Sequence, residues 1–268
     1  MHPMLNIAVR AARAAGNIIA RNLGHTELFS VEEKRKDDLV TDIDKECEST
    51  ITNLLLRSYR DHAVLGEEGG IQGNKDAEYQ WVIDPIDGTT NFVKGIPHVA
   101  VSIGLRRRGA PLLGVVFDPF ANEMFTAARG EGAGLNGQRI RVSDRRTLDG
   151  SIVATAYPVR YRERMGAFFE LSRRLVDNTA DIRRSGCASL DLCYVACGRF
   201  DGYLEQGLKP WDFAAGEVIV REAGGLITDF AGEDGYRKSG NIVSGNPYVV
   251  KSLLTKVCNA PDVDPLLK

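Results

Sequence analysis

The sequence contains no apolar run long enough to span a bilayer, and Arg10 and Arg13 interrupt the stretch that an export signal would need to keep apolar. A cytoplasmic protein with no membrane contact is the expectation. Cysteine is scarce and unpatterned: Cys47, Cys187, Cys193, Cys197 and Cys258 are odd in number and form no C-x-x-C pair, which argues against a disulfide framework or a zinc site. They read as small buried apolar residues, with Cys193 and Cys197 one helical turn apart in a core. An excess of one charge is missing too. With 34 Lys and Arg against 36 Asp and Glu, the formal net charge of −2 gives no global pull towards nucleic acid, so direct nucleic-acid binding is not expected. Arg106-Arg107-Arg108, Arg145-Arg146, Arg173-Arg174 and Arg183-Arg184 read as solvated faces or turn flanks, the last two pairs with some capacity to dock a partner.

The familiar catalytic signatures are also absent. There is no G-x-x-x-x-G-K-[ST] phosphate loop and no G-x-G-x-x-G after a strand, which removes the usual support for nucleotide hydrolysis and dinucleotide redox chemistry. No G-x-S-x-G elbow occurs, and the four histidines, His2, His25, His62 and His98, stand outside any Ser-His or Cys-His signature. They read as surface or packing residues.

What is present is a set of acids at the ends of apolar runs. In Trp81-Val-Ile-Asp84-Pro-Ile-Asp87-Gly-Thr-Thr-Asn-Phe92 a buried strand is expected to stop at Pro85, and Gly88-Thr89-Thr90 can offer backbone N–H groups at the start of a helix. Asp84 and Asp87 suit a hard divalent cation, and amides and cation together suit a phosphate. Gly66-Glu67-Glu68-Gly69-Gly70 follows the apolar Ala63-Val64-Leu65, and Asp212 lies in Trp211-Asp-Phe-Ala-Ala-Gly216. Two residues separate Asp84 from Asp87, unlike the D-x-D of phosphatases that form an aspartyl phosphate. The spacing points to metal-activated water.

Periodicity places these motifs. Leu5, Ala8, Ala12, Ala15, Ile18 and Ile19 predict an amphipathic helix from about Met4 to Leu23, capped by Gly24. Thr41 heads a second helix with Asp44 three positions on, as in a capping box, above a buried stripe of Ile43, Cys47, Ile51, Leu54 and Leu55. Val99–Leu105, Leu112–Phe117 and Glu123–Ala127 predict an antiparallel meander. Beyond it, strands at Ile152–Thr155, Asp201–Leu204, Leu226–Asp229 and Asn241–Val243 alternate with helices near Tyr161–Val176 and Cys187–Cys197. A length of 268 residues with 43% hydrophobic content and no low-complexity linker favours one domain over residues 1–268, although length alone allows two.

The Trp81–Phe92 and Trp211–Gly225 segments together resemble the two signature motifs of the inositol monophosphatase family. Leu39–Asp44, Gly66-Glu67-Glu68, Gly130–Gly137 and Asp201–Glu205 fall in the family's order, so the likeness runs over nearly the whole chain. Met1–Arg13 and Leu208–Glu217 are similar to a bacterial branch of it. The resemblance implies the five-layer α/β/α/β/α sandwich of the sugar-phosphatase fold. It implies Mg²⁺-dependent hydrolysis of myo-inositol monophosphate by metal-activated water, with no phosphoenzyme. One Mg²⁺ would be held by Glu67, Asp84 and the carbonyl of Ile86, a second by Asp84, Asp87 and Asp212, and some members hold a third near Glu67. Glu67, Thr89 and Asp44 would orient the water. The substrate-facing set would be Asp87, Gly88, Thr89, Gly186, Cys187, Ala188, Glu205 and Asp212, with Cys187 standing where members often carry threonine. Lithium inhibition and a homodimer are also implied. For the bacterial branch the resemblance adds an accessory role in transcription antitermination, with antitermination factors or RNA polymerase as partners. A phosphatase of the same fold for another small ester is a further alternative.

Overall fold

The computed structural model describes residues 3–25, 29–35, 38–158 and 162–258. Met1, His2 and Tyr161, named above, lie outside them. Helix α1 (Pro3–Asn22) buries Leu5, Ala8, Ala12, Ala15 and Ile19 at helical spacing, and Gly24 beyond it takes φ +78°. Strands β1 (Val31–Arg35) and β2 (Asp38–Thr41) pair antiparallel and lead into α2 (Asp42–Ser58). The capping box expected at Thr41 is present: Asp44 N–H donates to the Thr41 hydroxyl at 3.3 Å, and the Asp44 carboxylate accepts from Thr41 N–H at 2.8 Å.

A first sheet follows, built from β3 (Ala63–Gly66), β4 (Gly70–Gly73), β5 (Tyr79–Asp87), β6 (Ala100–Arg107), β7 (Ala110–Asp118), β8 (Glu123–Ala128), β9 (Gly132–Leu135) and β10 (Gln138–Arg139), with α3 (Thr89–Val93) between β5 and β6. Among the described residues it has eight strands in the order β10-β9-β8-β7-β6-β5-β3-β4. The meander β6-β7-β8 is antiparallel as expected, whereas β3 runs parallel to β5. Pro85 does not end β5. The strand continues to Asp87 through a bulge: Asp84 pairs with Ser102 and Asp87 with Ala100, so three steps on β5 oppose two on β6. The extra residue opens the ladder there, where a proline's missing N–H costs nothing.

The second sheet is formed by β11 (Ile152–Thr155), β12 (Asp181–Arg183), β13 (Gly202–Glu205), β14 (Leu226–Thr228) and β15 (Ile242–Gly245), in the order β12-β11-β13-β15-β14. Interspersed are α4 (Met165–Asn178), α5 (Ala188–Ala196), α6 (Pro210–Glu222), α7 (Tyr236–Ser239) and α8 (Pro247–Leu253). The helix expected near Tyr161–Val176 begins with a 3₁₀ turn, Arg162–Arg164, ahead of α4.

Side-chain packing orders these elements. On one face of the first sheet Trp81, Ile83, Val101, Ile103, Leu113 and Val115 share a core with α1 and α2. On its other face Val116 and Phe125 join Leu190, Leu192, Val218 and Ile219 of α5 and α6, and the same cluster reaches Tyr203 and Ile242 of the second sheet. Beyond that sheet Val153, Leu204 and Val243 pack on Leu171, Leu175, Val249 and Leu253 of α4 and α8. The result is a five-layer α/β/α/β/α sandwich. The central helix α6 presses hard on the first sheet. A Cβ on Gly114 would stand 2.3 Å from the Ala215 carbonyl oxygen, and one on Gly104 would stand 2.9 Å from Ala214.

Arg106 departs from the solvated reading. It is half-buried, its guanidinium 5.9 Å from the Phe213 ring, because its position on β6 faces the middle helices. Arg184 stacks 4.7 Å over Tyr157. Arg173 is engaged by Glu170 and Asp177 on its own helix, and Arg183 by Asp181. His62 packs between Tyr59 and Tyr79 and accepts from the Trp81 indole at 3.1 Å. The five cysteines are free; Cys47, Cys187, Cys193 and Cys258 are buried.

Candidate active site

Four places in the fold deliver carboxylates to one point. Asp44 comes from the first turn of α2, Glu67 from the turn after β3, Asp84 and Asp87 from the bulged end of β5, and Asp212 from the first turn of α6. Ser102 and Ala100, the partners of Asp84 and Asp87, are two residues apart and share the face towards α5 and α6. The bulge therefore turns both acids towards that layer. Gly88, at φ +96°, starts α3, and a Cβ there would lie 3.2 Å from the carbonyl oxygens of Gly186 and His98. Glycine is required on both counts. The Thr89 hydroxyl lies 3.2 Å from the Asp44 carboxylate and 3.1 Å from the Ile86 carbonyl; it has one proton, so it donates to one of them at a time. The Asp212 carboxylate accepts from Lys209 N–H at 2.7 Å, which fixes it at the head of α6.

The turn carrying Glu67 is held by a residue that the sequence reading missed. Glu48, 3% exposed on α2, accepts from Glu68 N–H at 2.8 Å and Gly69 N–H at 2.7 Å. Its signal was present as a charge one helical turn after Asp44, beside the buried Cys47.

The opposite wall is built around the start of α5. Asp87 accepts from Ser189 N–H at 2.6 Å and from the Cys187 thiol at 3.2 Å. The Asn91 carboxamide of α3 donates to the Ser185 and His98 carbonyls at 3.0 and 2.8 Å, clamping the Gly186-Cys187-Ala188 turn against α3. Asp191, also missed, is buried and accepts from the Ser185 hydroxyl at 2.6 Å. Glu205, at the end of β13, accepts from the Tyr203 phenol at 2.5 Å.

These groups enclose a cavity of about 180 Å³. Every site residue named from the sequence borders it except Asp44, which reaches it through Thr89. Arg184, Asp191 and Gln206 border it as well and were not foreseen.

The electrostatics follow from burial. The Asp84 carboxyl is pushed well above its ordinary range by burial first, then by the charges of Glu67, Asp87, Asp212 and Asp44. Asp87 is raised by burial, partly offset by the donors at the start of α5. Asp44 rises to about 6 through burial, against the lowering hydrogen bonds from Thr41. Glu205 rises to about 7, again through burial first. Burial and the neighbouring Asp87 keep the Cys187 thiol protonated. Among the described residues no three such groups close into a finished metal cage. Their mutual repulsion and their all-oxygen chemistry, carboxylates beside the Ile86 carbonyl, nonetheless fit a hard divalent cation.

Comparison with known proteins agrees over nearly the full length. Residues 1–261 match the model of the inositol monophosphatase family. A Vibrio cholerae protein named Nus factor SuhB is 52% identical over 257 residues, which cover 96% of each chain. The solved structure of the extragenic suppressor protein SuhB from Bartonella henselae matches with a TM-score of 0.94 and 38% identity, covering 97% of this chain and 100% of that one. The inositol monophosphatase from Anabaena matches with a TM-score of 0.84 and 38% identity, covering 96% of both chains. The sequence motifs, the five-layer fold and these matches agree: the chain belongs to the inositol monophosphatase family.

Proposed function

We propose that this protein is a Mg²⁺-dependent phosphatase that releases phosphate from a myo-inositol monophosphate by direct attack of water, without a phosphoenzyme. The observation that carries the reading is the meeting of Asp44, Glu67, Asp84, Asp87 and Asp212 at the N-terminus of α3, beside a cavity with a polar far wall. In this reading Glu67, Asp84 and the Ile86 carbonyl hold one Mg²⁺, and Asp84, Asp87 and Asp212 hold a second. Bound ions supply Lewis-acid stabilisation of phosphoryl oxygens and make a water acidic enough to attack near neutral pH.

The remaining work belongs to the chain. Thr89 and Glu67 orient the attacking water, and Asp44 sets the direction of the Thr89 hydroxyl. The N–H groups of Gly88 and Thr89 hold phosphate oxygens at the head of α3. Asp87, Glu205 and the Gly186-Cys187-Ala188 turn face the inositol ring. Lithium sensitivity, a homodimer and cytoplasmic location belong to the same reading, with residues 1–268 acting as one domain.

The test is phosphate release from myo-inositol 1-phosphate with and without Mg²⁺, alongside Asp87→Asn. The expected result is metal-dependent release that falls at least about a hundredfold in the folded variant. Near-normal turnover by Asp87→Asn would sink the assignment.

A second reading is favoured by the names of the relatives. Proteins about half identical to this one are called Nus factors, which supports an accessory role in transcription antitermination complexes, with antitermination factors or RNA polymerase as partners. Capture of such partners by wild type and Asp87→Asn alike would separate that role from catalysis; capture of none would remove it.

A further inference from the structure

Among the polar side chains of the cavity, Gln206 is one that none of these roles employs. Gln206 is 5% exposed, follows Glu205 at the end of β13 and borders the same cavity. Its carboxamide nitrogen and oxygen are both shielded from solvent, and neither meets a hydrogen-bond partner among the described residues. The backbone beside it is fixed. Gly207 N–H donates to the buried Asn241 carboxamide oxygen at 3.1 Å, and Leu208 N–H donates to the Gly240 carbonyl at 2.9 Å. Buried amides in folded proteins are almost always paired, because an unpaired one forfeits the hydrogen bonds that water gave it. A methionine of similar length would fill the same space without that cost.

We infer that Gln206 is a specificity-determining residue for the polyol leaving group, with its carboxamide turning about its own side-chain bonds into the cavity to hydrogen-bond the substrate's hydroxyls. The inference rests on the phosphatase reading above and adds to it the chemistry of the leaving group. Three neighbouring groups on this wall, Glu205, Asp87 and Asp191, are acids, which when ionised only accept, and the cationic donor Arg184 stacks on the Tyr157 ring. A hydroxyl both donates and accepts, so beside these acids its lone pairs call for a donor. The two N–H donors of Gln206 serve them. A ring with adjacent hydroxyls donates a hydrogen bond to Glu205 through one and accepts one from Gln206 at the next, whereas a phenyl ring does neither.

The experiment compares kcat/KM for myo-inositol 1-phosphate and p-nitrophenyl phosphate in wild type, Gln206→Met and Gln206→Glu, with a thermal melt of each. The inositol-to-aryl ratio is expected to fall about tenfold in both variants, the factor carried by one hydrogen bond of about 1.4 kcal/mol. Gln206→Met should melt at or above wild type, because an unpaired buried amide has been removed. A ratio within about twofold of wild type in both variants, or a Met variant that melts well below wild type, overturns the assignment. Wild type that releases phosphate from neither ester overturns the phosphatase reading itself. Wild type active on the aryl ester alone keeps a phosphatase but removes the polyol reading, and Gln206's role with it.

Discussion

Thr89 shows how much rests on a single side chain. Its hydroxyl sits between an acid that is itself the second half of a helix cap and a carbonyl at the bulged end of β5. Removing it should leave the fold intact, since α3 is started by Gly88 and not by a side-chain cap. Thr89→Ala is therefore expected to lower kcat by about 10²-fold with little change in KM or melting temperature; an unchanged kcat would contradict its orienting role. At this scale the sequence was legible where chemistry and local spacing coincide. Asp84, Asp87 and the Thr41–Asp44 box could all be read from neighbours within a few residues. Glu48, Asp191 and Gln206 could not. Glu48 acts on a turn about 20 residues away, Asp191 needs the turn of Ser185, and Gln206 is distinguished only by what fails to reach it.

Among the elements, α6 has little room. It carries Asp212 and lies so close to the first sheet that Gly114 and Gly104 face the backbone at Ala215 and Ala214. A methyl at Gly114 meets a carbonyl oxygen, not a flexible side chain, so the helix must shift. Gly114→Ala is expected to cost about 1–3 kcal/mol, seen as a melting temperature lower by roughly 3–10 °C. Because the same helix delivers Asp212, the variant should also bind Mg²⁺ more weakly. A fully stable variant with normal Mg²⁺ affinity would show that the contact is slack. Element types were well forecast by periodicity, as in α1, the capped α2 and the β6–β8 meander. The course of β5 was not, because a proline forbids a ladder bond only where the ladder asks for one, and the bulge depends on β6 as much as on β5.

For the molecule as a whole, the concentration of acids at one junction ties stability to pH. In the metal-free protein Asp44 and Glu205 have folded-state values near 6 and 7, both above their unfolded values, and burial raises Asp84 well above its own. The folded state then holds protons that the unfolded chain releases. Stability from these groups is present below about pH 4 and is lost as pH rises towards 7, by on the order of 3 kcal/mol for Glu205 alone. Chelator-treated protein should therefore melt at lower temperature at pH 7.5 than at pH 5, and Mg²⁺ should raise the melting point more at pH 7.5. A pH-independent melt without metal would refute this. The layering itself could not be read from strand and helix alternation, which fixes neither strand order nor which helices lie between the sheets. It was implied by the resemblance, and packing on both faces of each sheet bears it out.

The bulge at Pro85 has a consequence for how the motif can vary. Side chains along a strand follow an odd–even rule, and Asp84 and Asp87 have opposite parity. The one inserted residue resets the count, so the three-residue spacing and the bulge form a single unit of information. Deleting Pro85 or Ile86 would straighten the strand and leave both acids in the text, while restoring a spacing that a flat strand can use. With the bulge kept, moving the acids further apart by one would send Asp87 to the α1 side of the sheet. Length between the two acids, more than the identity of what separates them, is the quantity this site has to keep.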